Sequence, residues 1–352
     1  MATSSGLCHS APVTEIPPPL RIGVLGAARI TPSALIKPAR QVAGVTVAGV
    51  AARDIGRAER FAAEHGVAKV YPSYAELVDS PDIDAVYVPL PNSGHAEWTL
   101  KALAAGKHVL CEKPFTANAE EAREVAAAAA ASGLVVMEAF HYRYHPLAER
   151  MRAIVHGESE LGSLGRIRHI ETGLSFPLVK RSDIRFQLGL AGGATMDAGC
   201  YAIHCLRLLG SGRPEVVSAR AKLRSPQVDR AMTADFRFPD GGSGRITASL
   251  WSRDVLRISA RVVGERGTMR AFNFVMPQMY HRLSTTVDGR TYRERVPGEA
   301  TYTHQLRAFA AAVQGGDTNL TPPEDAIVTM SLIDDVYRAA GLRPRDSQRR
   351  TA

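Results

Sequence analysis

From Leu20 onward, short apolar runs alternate with stretches whose apolar positions recur at helical spacing. Residues 22–25, 46–52, 85–88, 108–111 and 134–137 are apolar runs of strand length. Residues 56–65 and 95–105 carry helical periodicity, with Gly66 and Gly106 placed to stop the two helices. Ser73 with Glu76, and Asn118 with Glu121, have the spacing of N-terminal capping boxes, the second opening an alanine-rich helix that runs to about residue 132. Gly26-Ala27-Ala28 turns the first strand into a helix that Pro38 must shorten or kink, because proline lacks the amide donor. Strands alternating with helices at this spacing imply right-handed crossovers and a parallel sheet covered on both faces. The first half is therefore expected to be a doubly wound α/β domain.

After Pro146 and a helix over 147–156, the pattern changes. Residues 166–174, 216–223, 232–238, 244–251, 256–263 and 269–272 alternate or run β-branched, and Pro239-Asp240-Gly241-Gly242 and Asp288-Gly289 are turn signals among them. One helix, 194–209, interrupts the strands between Gly192-Gly193 and Gly210, and amphipathic helices over 302–313 and 323–340 follow them. The expected organisation is a disordered lead-in (1–19), a doubly wound Rossmann-type α/β domain (20–146), an α+β domain with an open antiparallel sheet (147–341) and a solvated basic tail (342–352).

Composition narrows the classes. A chain of 352 residues exceeds one ordinary core, and 45% hydrophobic with 22% charged residues is a globular composition. No apolar run approaches the roughly 20 residues of a membrane span, and the N-terminus lacks the basic start and apolar core of a secretory signal. Cys8, Cys111, Cys200 and Cys205 have neither CxxC nor metal-ligand spacing, which fits the reducing cytoplasm and no metal. The net charge of +8 comes from dispersed arginines, apart from Arg343, Arg345, Arg349 and Arg350 in the tail. With no recognition helix, finger or aromatic-interleaved basic stretch, neither nucleic acid nor membrane is an expected partner.

Doubly wound sheets bind ligands at the carboxyl ends of their strands. The first turn, with Gly23, Gly26 and Ala28, is the expected pyrophosphate cradle of a dinucleotide, where small residues let the backbone approach phosphate oxygens. The second strand ends Ala51-Ala52-Arg53-Asp54, with Arg57 one turn on. Arg53 and Arg57 can converge on a 2′-phosphate and favour NADP; a strand one residue longer would put Asp54 on the ribose hydroxyls and favour NAD.

Two further groups carry chemistry. Cys111-Glu112-Lys113-Pro114 places a lysine at the carboxyl edge of the parallel sheet, and Asp197, Tyr201 and His204 are spaced to share one helix face. With Pro91-Asn92 and His95, the stretch from Ala104 to Pro114, Met137-Glu138-Ala139 with Arg143 and Pro146, and the stretch from Gly192 to Tyr201, these residues make the chain resemble the Gfo/Idh/MocA oxidoreductases from about Arg21 to Ala340. Within that family it is most similar to the branch of dimeric dihydrodiol dehydrogenases and NADP-dependent aldose dehydrogenases. It departs from the family pattern at Ala28, where a glycine is usual.

The resemblance implies hydride transfer between nicotinamide and a secondary alcohol or carbonyl of a sugar, polyol or trans-dihydrodiol. A tyrosine with an unperturbed pKa near ~10 is a weak base at neutral pH. In the implied mechanism the Lys113 ammonium polarises the substrate oxygen and lowers the pKa of Tyr201, the acid/base, while Asp197 orients Lys113 or binds a substrate hydroxyl. The cofactor contacts it implies are Gly26, Ala27, Ala28, Arg29, Ile30, Arg53, Arg57, Pro91, Asn92, His95, Glu112, Lys113 and Arg143. Phe176, Arg185 and His204 join Asp197 and Tyr201 as expected substrate contacts. A cis Lys113–Pro114 bond is expected, and so is a homodimer or homotetramer packed through the apolar open face of the second sheet. A keto-sugar reductase is the nearest alternative, and a non-catalytic dinucleotide sensor one of another class.

Overall fold

A computed structural model describes residues 18–180, 182–251 and 256–346. Most of the expected disordered lead-in lies outside the described residues, as do Cys8, Arg349 and Arg350. In the first half, β1 (Leu20–Leu25), β2 (Val45–Ala51), β3 (Lys69–Tyr71), β4 (Ala85–Val88), β5 (His108–Cys111) and β6 (Val136–Glu138) form a parallel sheet in the order β3-β2-β1-β4-β5-β6. Helices α1 (Lys37–Ala39), α2 (Ile55–His65), α3 (Tyr74–Asp79), α4 (His95–Ala104) and α5 (Ala119–Ser132) connect the strands. Local chemistry sets the helix ends. Asp54, Ser73 and Asn118 each accept a backbone N–H of the first turn, and Gly66 and Gly133 close their helices in the left-handed conformation. Pro38 has no amide hydrogen to donate, and the chain before it, Pro32–Ile36, takes a wide π-helical turn that leaves α1 short.

The second half contains α6 (Pro146–Val155), β7 (Ile167–Ser175), α7 (Cys200–Leu209), β8 (Glu215–Ser225), β9 (Val228–Arg237), β10 (Ser243–Ser249), β11 (Arg257–Gly264), β12 (Gly267–Phe272), β13 (Arg282–Val287), β14 (Arg290–Glu294), α8 (Thr301–Val313) and α9 (Pro323–Ala339). Its eight-stranded sheet runs β14-β13-β12-β11-β7-β10-β9-β8. The sheet is antiparallel except where β10 lies parallel to β7, because the return through α7 and the β8–β9 hairpin brings the chain back in the same direction. One face buries Ile170, Met232, Phe236, Ile246 and Val262.

The other face is not the apolar surface expected from the sequence. Asp235, Arg245, Glu171 and Arg261 stand directly opposite one another on β9, β10, β7 and β11, a row of alternating charge. Arg245 Nε lies 2.6 Å from Asp235 Oδ1, and Arg261 Nη1 3.8 Å from Glu171 Oε2. Across these four strands the alternating signs avoid like charges directly opposite, although on β12 Arg270 stands opposite Arg261.

The two C-terminal helices reach back to the first domain. Tyr302, Leu306 and Phe309 of α8 share a core with Ile22, Val24, Val50 and Leu110, and α9 packs on α5. The tail also differs from expectation, since Arg345 is buried rather than solvated. Its Nη2 lies 3.0 Å from Asp229 Oδ1, its Nε donates to Gly192 O at 2.7 Å, and its guanidinium sits 3.9 Å from the Tyr337 ring centroid. Asp229, equally buried, accepts from Tyr337 Oη and from Thr195 N and Oγ1, so every polar group in the cluster is engaged. The clasp fits because residue 193 is a glycine (φ 142°); a Cβ there would meet Asp229, Tyr337 and Arg345. Removing one partner of a buried pair leaves an uncompensated charge and costs about 3–5 kcal/mol. Arg345→Met is accordingly expected to lower unfolding free energy in urea by that amount, and an unchanged denaturation midpoint would refute the clasp.

Candidate active site

Strand order reverses between β1 and β4, and the expected cofactor residues gather at the carboxyl ends beside that point. Gly26 has φ 100° and donates its N–H to Ala51 O, which starts the turn into Ala27, Ala28, Arg29 and the exposed Ile30. Gly23 is not part of this turn. It lies within β1, where a Cβ would come 2.5 Å from Leu77 Cδ2, so it serves packing. Strand β2 stops at Ala51, and Asp54 accepts the Arg57 N–H at 2.7 Å as the cap of α2. Arg57 Nη2 donates to Ala27 O at 2.6 Å, bracing the turn, while Arg53 is exposed. These are the features a dinucleotide with an extra ribose phosphate requires: a bare backbone turn, an exposed arginine at the strand end, and an acid already committed to a helix.

On the other side of the crevice, Pro91 leads into the turn Asn92–Gly94, and Asn92 Nδ2 donates to Ala191 O of the second domain at 2.9 Å. His95 is fully buried, with Nδ1 and Nε2 each 2.8 Å from a carbonyl, Pro114 O and Leu90 O. It sits between the loop that holds Leu90 and the turn that holds Pro114. Glu112 accepts Tyr87 Oη at 2.7 Å; burial raises its pKa, with Lys113 opposing. Arg143 is mostly buried and lies 3.6 Å from Glu149.

The Lys113–Pro114 peptide bond is cis. Lys113 Nζ donates to Asp197 Oδ1 at 3.0 Å and to Asp197 O at 3.2 Å. Asp197 Oδ2 accepts Arg185 Nε at 2.8 Å, and Arg185 also pairs with Asp183. Burial alone would depress the lysine pKa, but the Asp197 carboxylate holds it above its ordinary value. Burial would likewise raise Asp197, yet Lys113 and Arg185 keep it below the usual carboxylate range. Both side chains are therefore charged.

Tyr201 stands next to this pair, but the expected tuning is not what the geometry gives. Lys113 Nζ lies over the Tyr201 ring, 5.0 Å from its centroid, rather than at the hydroxyl. Burial pushes the phenol well above its ordinary pKa. Tyr201 in this state is a neutral phenol, a proton donor. Its hydroxyl is hydrogen-bonded to His141 Nε2 at 3.0 Å, a partner that sequence reasoning missed although it lies between the quoted Ala139 and Arg143.

Asp197 and Tyr201 both reach Lys113, while Tyr201 and His204 both pack on Phe140 and Tyr142. Asp197 belongs to a π-helical turn, Thr195–Gly199, whose wider winding changes its angle relative to α7. His204 is buried, with Nδ1 2.6 Å from Tyr142 Oη, Nε2 3.3 Å from Asp325 and its ring stacked 4.3 Å from Phe140. It packs the helix against the first domain. Phe176 follows β7 and packs on the core. Of the expected substrate residues, the structure brings Arg185, Asp197 and Tyr201 together around Lys113.

A dinucleotide-type crevice facing a buried lysine–tyrosine pair is the site of an oxidoreductase. A sequence model of the oxidoreductase family with an NAD-binding Rossmann fold (Gfo/Idh/MocA) matches residues 20–140, and one of the family's C-terminal domain matches residues 148–270. The chain belongs to this family. It is 35% identical over 323 residues to D-xylose 1-dehydrogenase (NADP(+)) 2 of Haloferax volcanii, covering 91% of this chain and 97% of that protein. It is 37% identical over 222 residues to trans-1,2-dihydrobenzene-1,2-diol dehydrogenase of Oryctolagus cuniculus, covering 63% of this chain and 65% of that one. A 3-ketoreductase from Actinomadura kijaniata, solved in complex with NADP and TDP-benzene, superposes with a TM-score of 0.83 at 30% identity, over 92% of this chain and 98% of that one. Among the described residues, no helix is long and apolar enough to cross a membrane.

Proposed function

We propose that this oxidoreductase uses NADP and acts on a secondary alcohol or carbonyl of a sugar, polyol or trans-dihydrodiol. The observation that carries the reading is the convergence of Lys113, from the first domain, with Asp197 and Tyr201, from the second. When bound, the nicotinamide gives or takes the hydride. The chain's own groups handle the proton and the charge. Lys113, held as an ammonium by Asp197, stabilises negative charge developing on the substrate oxygen. Tyr201 supplies the proton to that oxygen, or takes it in the reverse direction. Asp197 and Arg185 offer an acceptor and a donor to neighbouring hydroxyls, as a polyol requires.

NADP over NAD is supported by Asp54 being engaged as a helix cap while Arg53 stands exposed. The reductive direction is favoured by the raised pKa of Tyr201, since a phenol that holds its proton is suited to giving it to an alkoxide. Free, buried Cys111, Cys200 and Cys205 support a reducing compartment, the cytoplasm. We also propose self-association, but not through the charged sheet face. Exposed Val179, Leu223 and Trp251 line a hollow with Leu178, Phe186, Arg224 and Arg230, a largely apolar patch with two arginines that a second subunit would cover.

Titration of the purified protein is expected to give tighter binding of NADP+ than NAD+, and Arg53→Ala should weaken NADP+ selectively; equal affinities in the native protein would refute the preference. In a panel of aldoses, cyclic diols and keto-sugars, turnover with NADP+ or NADPH is expected. Tyr201→Phe should lower kcat by about 10²–10⁴ while cofactor affinity stays within twofold. Near-full turnover by that variant would remove Tyr201 as the proton carrier. Sedimentation should show a dimer or tetramer that Trp251→Glu dissociates, and a native monomer at micromolar concentration would dispose of the patch as an interface.

A further inference from the structure

The mechanism above leaves His141 unused. It opens the turn His141–Tyr144 just past β6, at the carboxyl edge of the parallel sheet. Its Nε2 is 3.0 Å from Tyr201 Oη and its Nδ1 2.8 Å from Thr301 Oγ1, and its ring lies 4.0 Å from that of Tyr302. The imidazole is 2% exposed and Thr301 not at all. Three separate parts of the chain thus form one buried hydrogen-bonded line: threonine, histidine, tyrosine.

Both ring nitrogens face hydroxyls, and a hydroxyl can donate or accept. A neutral imidazole carries one hydrogen, so its placement decides which way the Tyr201 proton points. With the hydrogen on Nδ1, Nε2 would take the Tyr201 O–H and turn it from the cleft. With the hydrogen on Nε2, that N–H donates to Oη and the phenolic proton is free for the reacting oxygen. In this second arrangement Thr301 donates to Nδ1.

We propose that His141 is a positioning residue for Tyr201, carrying its hydrogen on Nε2 and donating it to Oη, so that the phenolic proton is aimed at the substrate oxygen and the phenolate left behind is stabilised. The inference rests on Tyr201 being the acid/base. Burial, with Lys113 nearby, depresses the histidine pKa to about 3, so the ring stays neutral at working pH and does not store the proton itself. Lys113, Glu112, Asp197, Cys200 and Tyr302 also face Tyr201, and Tyr142 lies 6.0 Å from it between ring centroids. None of these places a hydrogen-bonding atom on Oη as His141 does.

His141→Met keeps the bulk and removes the donor. It is expected to lower kcat about tenfold, with KM and NADP+ affinity unchanged, the loss of one hydrogen bond to a charged group. The pH midpoint of the oxidative reaction should rise by about one unit, because the phenolate has lost a donor. His141→Gln, whose amide can donate from a similar position, should restore most of both. Independently of turnover, ¹⁵N NMR of the unliganded protein should show the His141 ring with hydrogen on Nε2 and no titration between pH 5 and 9. Hydrogen on Nδ1, or an unmoved pH midpoint in an active His141→Met, would overturn the inference. If the native protein shows no nicotinamide-dependent turnover, the function proposed above fails, and the NMR result alone decides the placement of the hydrogen.

Discussion

The contact between Lys113 and Asp197 is the constraint around which the rest of the structure is arranged. Each side chain is only 14% exposed, and an isolated charge at that depth would lose several kcal/mol of hydration. Neither residue can be buried without the other, and they belong to different domains. The lysine sits at the end of β5, and the aspartate sits in the turn before α7. Other bonds that cross between the domains hold the same relation: Asn92 to Ala191, Tyr142 to His204, His141 to Thr301 and to Tyr201. A displacement of one domain against the other therefore costs this ion pair as well as the apolar contacts of α8 and α9.

Much of this was legible because it is local. The parallel strands were legible as apolar runs, the helix ends as capping residues, and the lysine turn as a specific motif. What escaped had no local signature. Strand β3 is three residues long, Lys69–Tyr71, and exists because β2 offers it an edge. The hairpin β13–β14 announced its turn, Asp288-Gly289, but its strands are threonine- and arginine-rich and gain their identity from pairing with β12. Arg345 looked like tail charge because its acid, Asp229, lies 116 positions away.

The site was read with similar limits. Lys113, Asp197 and Arg185 meet as their residue types require, since opposite charges near a cleft edge find one another. His204 lies three positions after Tyr201 on α7, and spacing cannot show that its ring nitrogens face Tyr142 and Asp325. The position of His95 at the start of α4 does not show that a carbonyl lies beside each of its ring nitrogens. The tuning of Tyr201 failed as an expectation for a physical reason. Lys113 lies over the ring rather than at the hydroxyl, and burial penalises the anion.

The reach of the C-terminal segment has a consequence for how the chain matures. Helix α8 supplies part of the core that covers β1 and β2, and the Arg345–Asp229 pair locks the backbone near Asp197, Arg345 at Gly192 and Asp229 at Thr195. A ribosome delivers the N-terminal domain first, at about 5–20 residues per second. For the interval before residues 301–345 emerge, the cofactor domain lacks the α8 side of its core and the turn bearing Asp197 lacks its clasp. The strands of the first sheet can pair in that time, but the Lys113–Asp197 contact cannot be held in register. The nascent chain is thus a binding fold in waiting, and competence for chemistry arrives last, with the segment farthest in sequence from the crevice it completes.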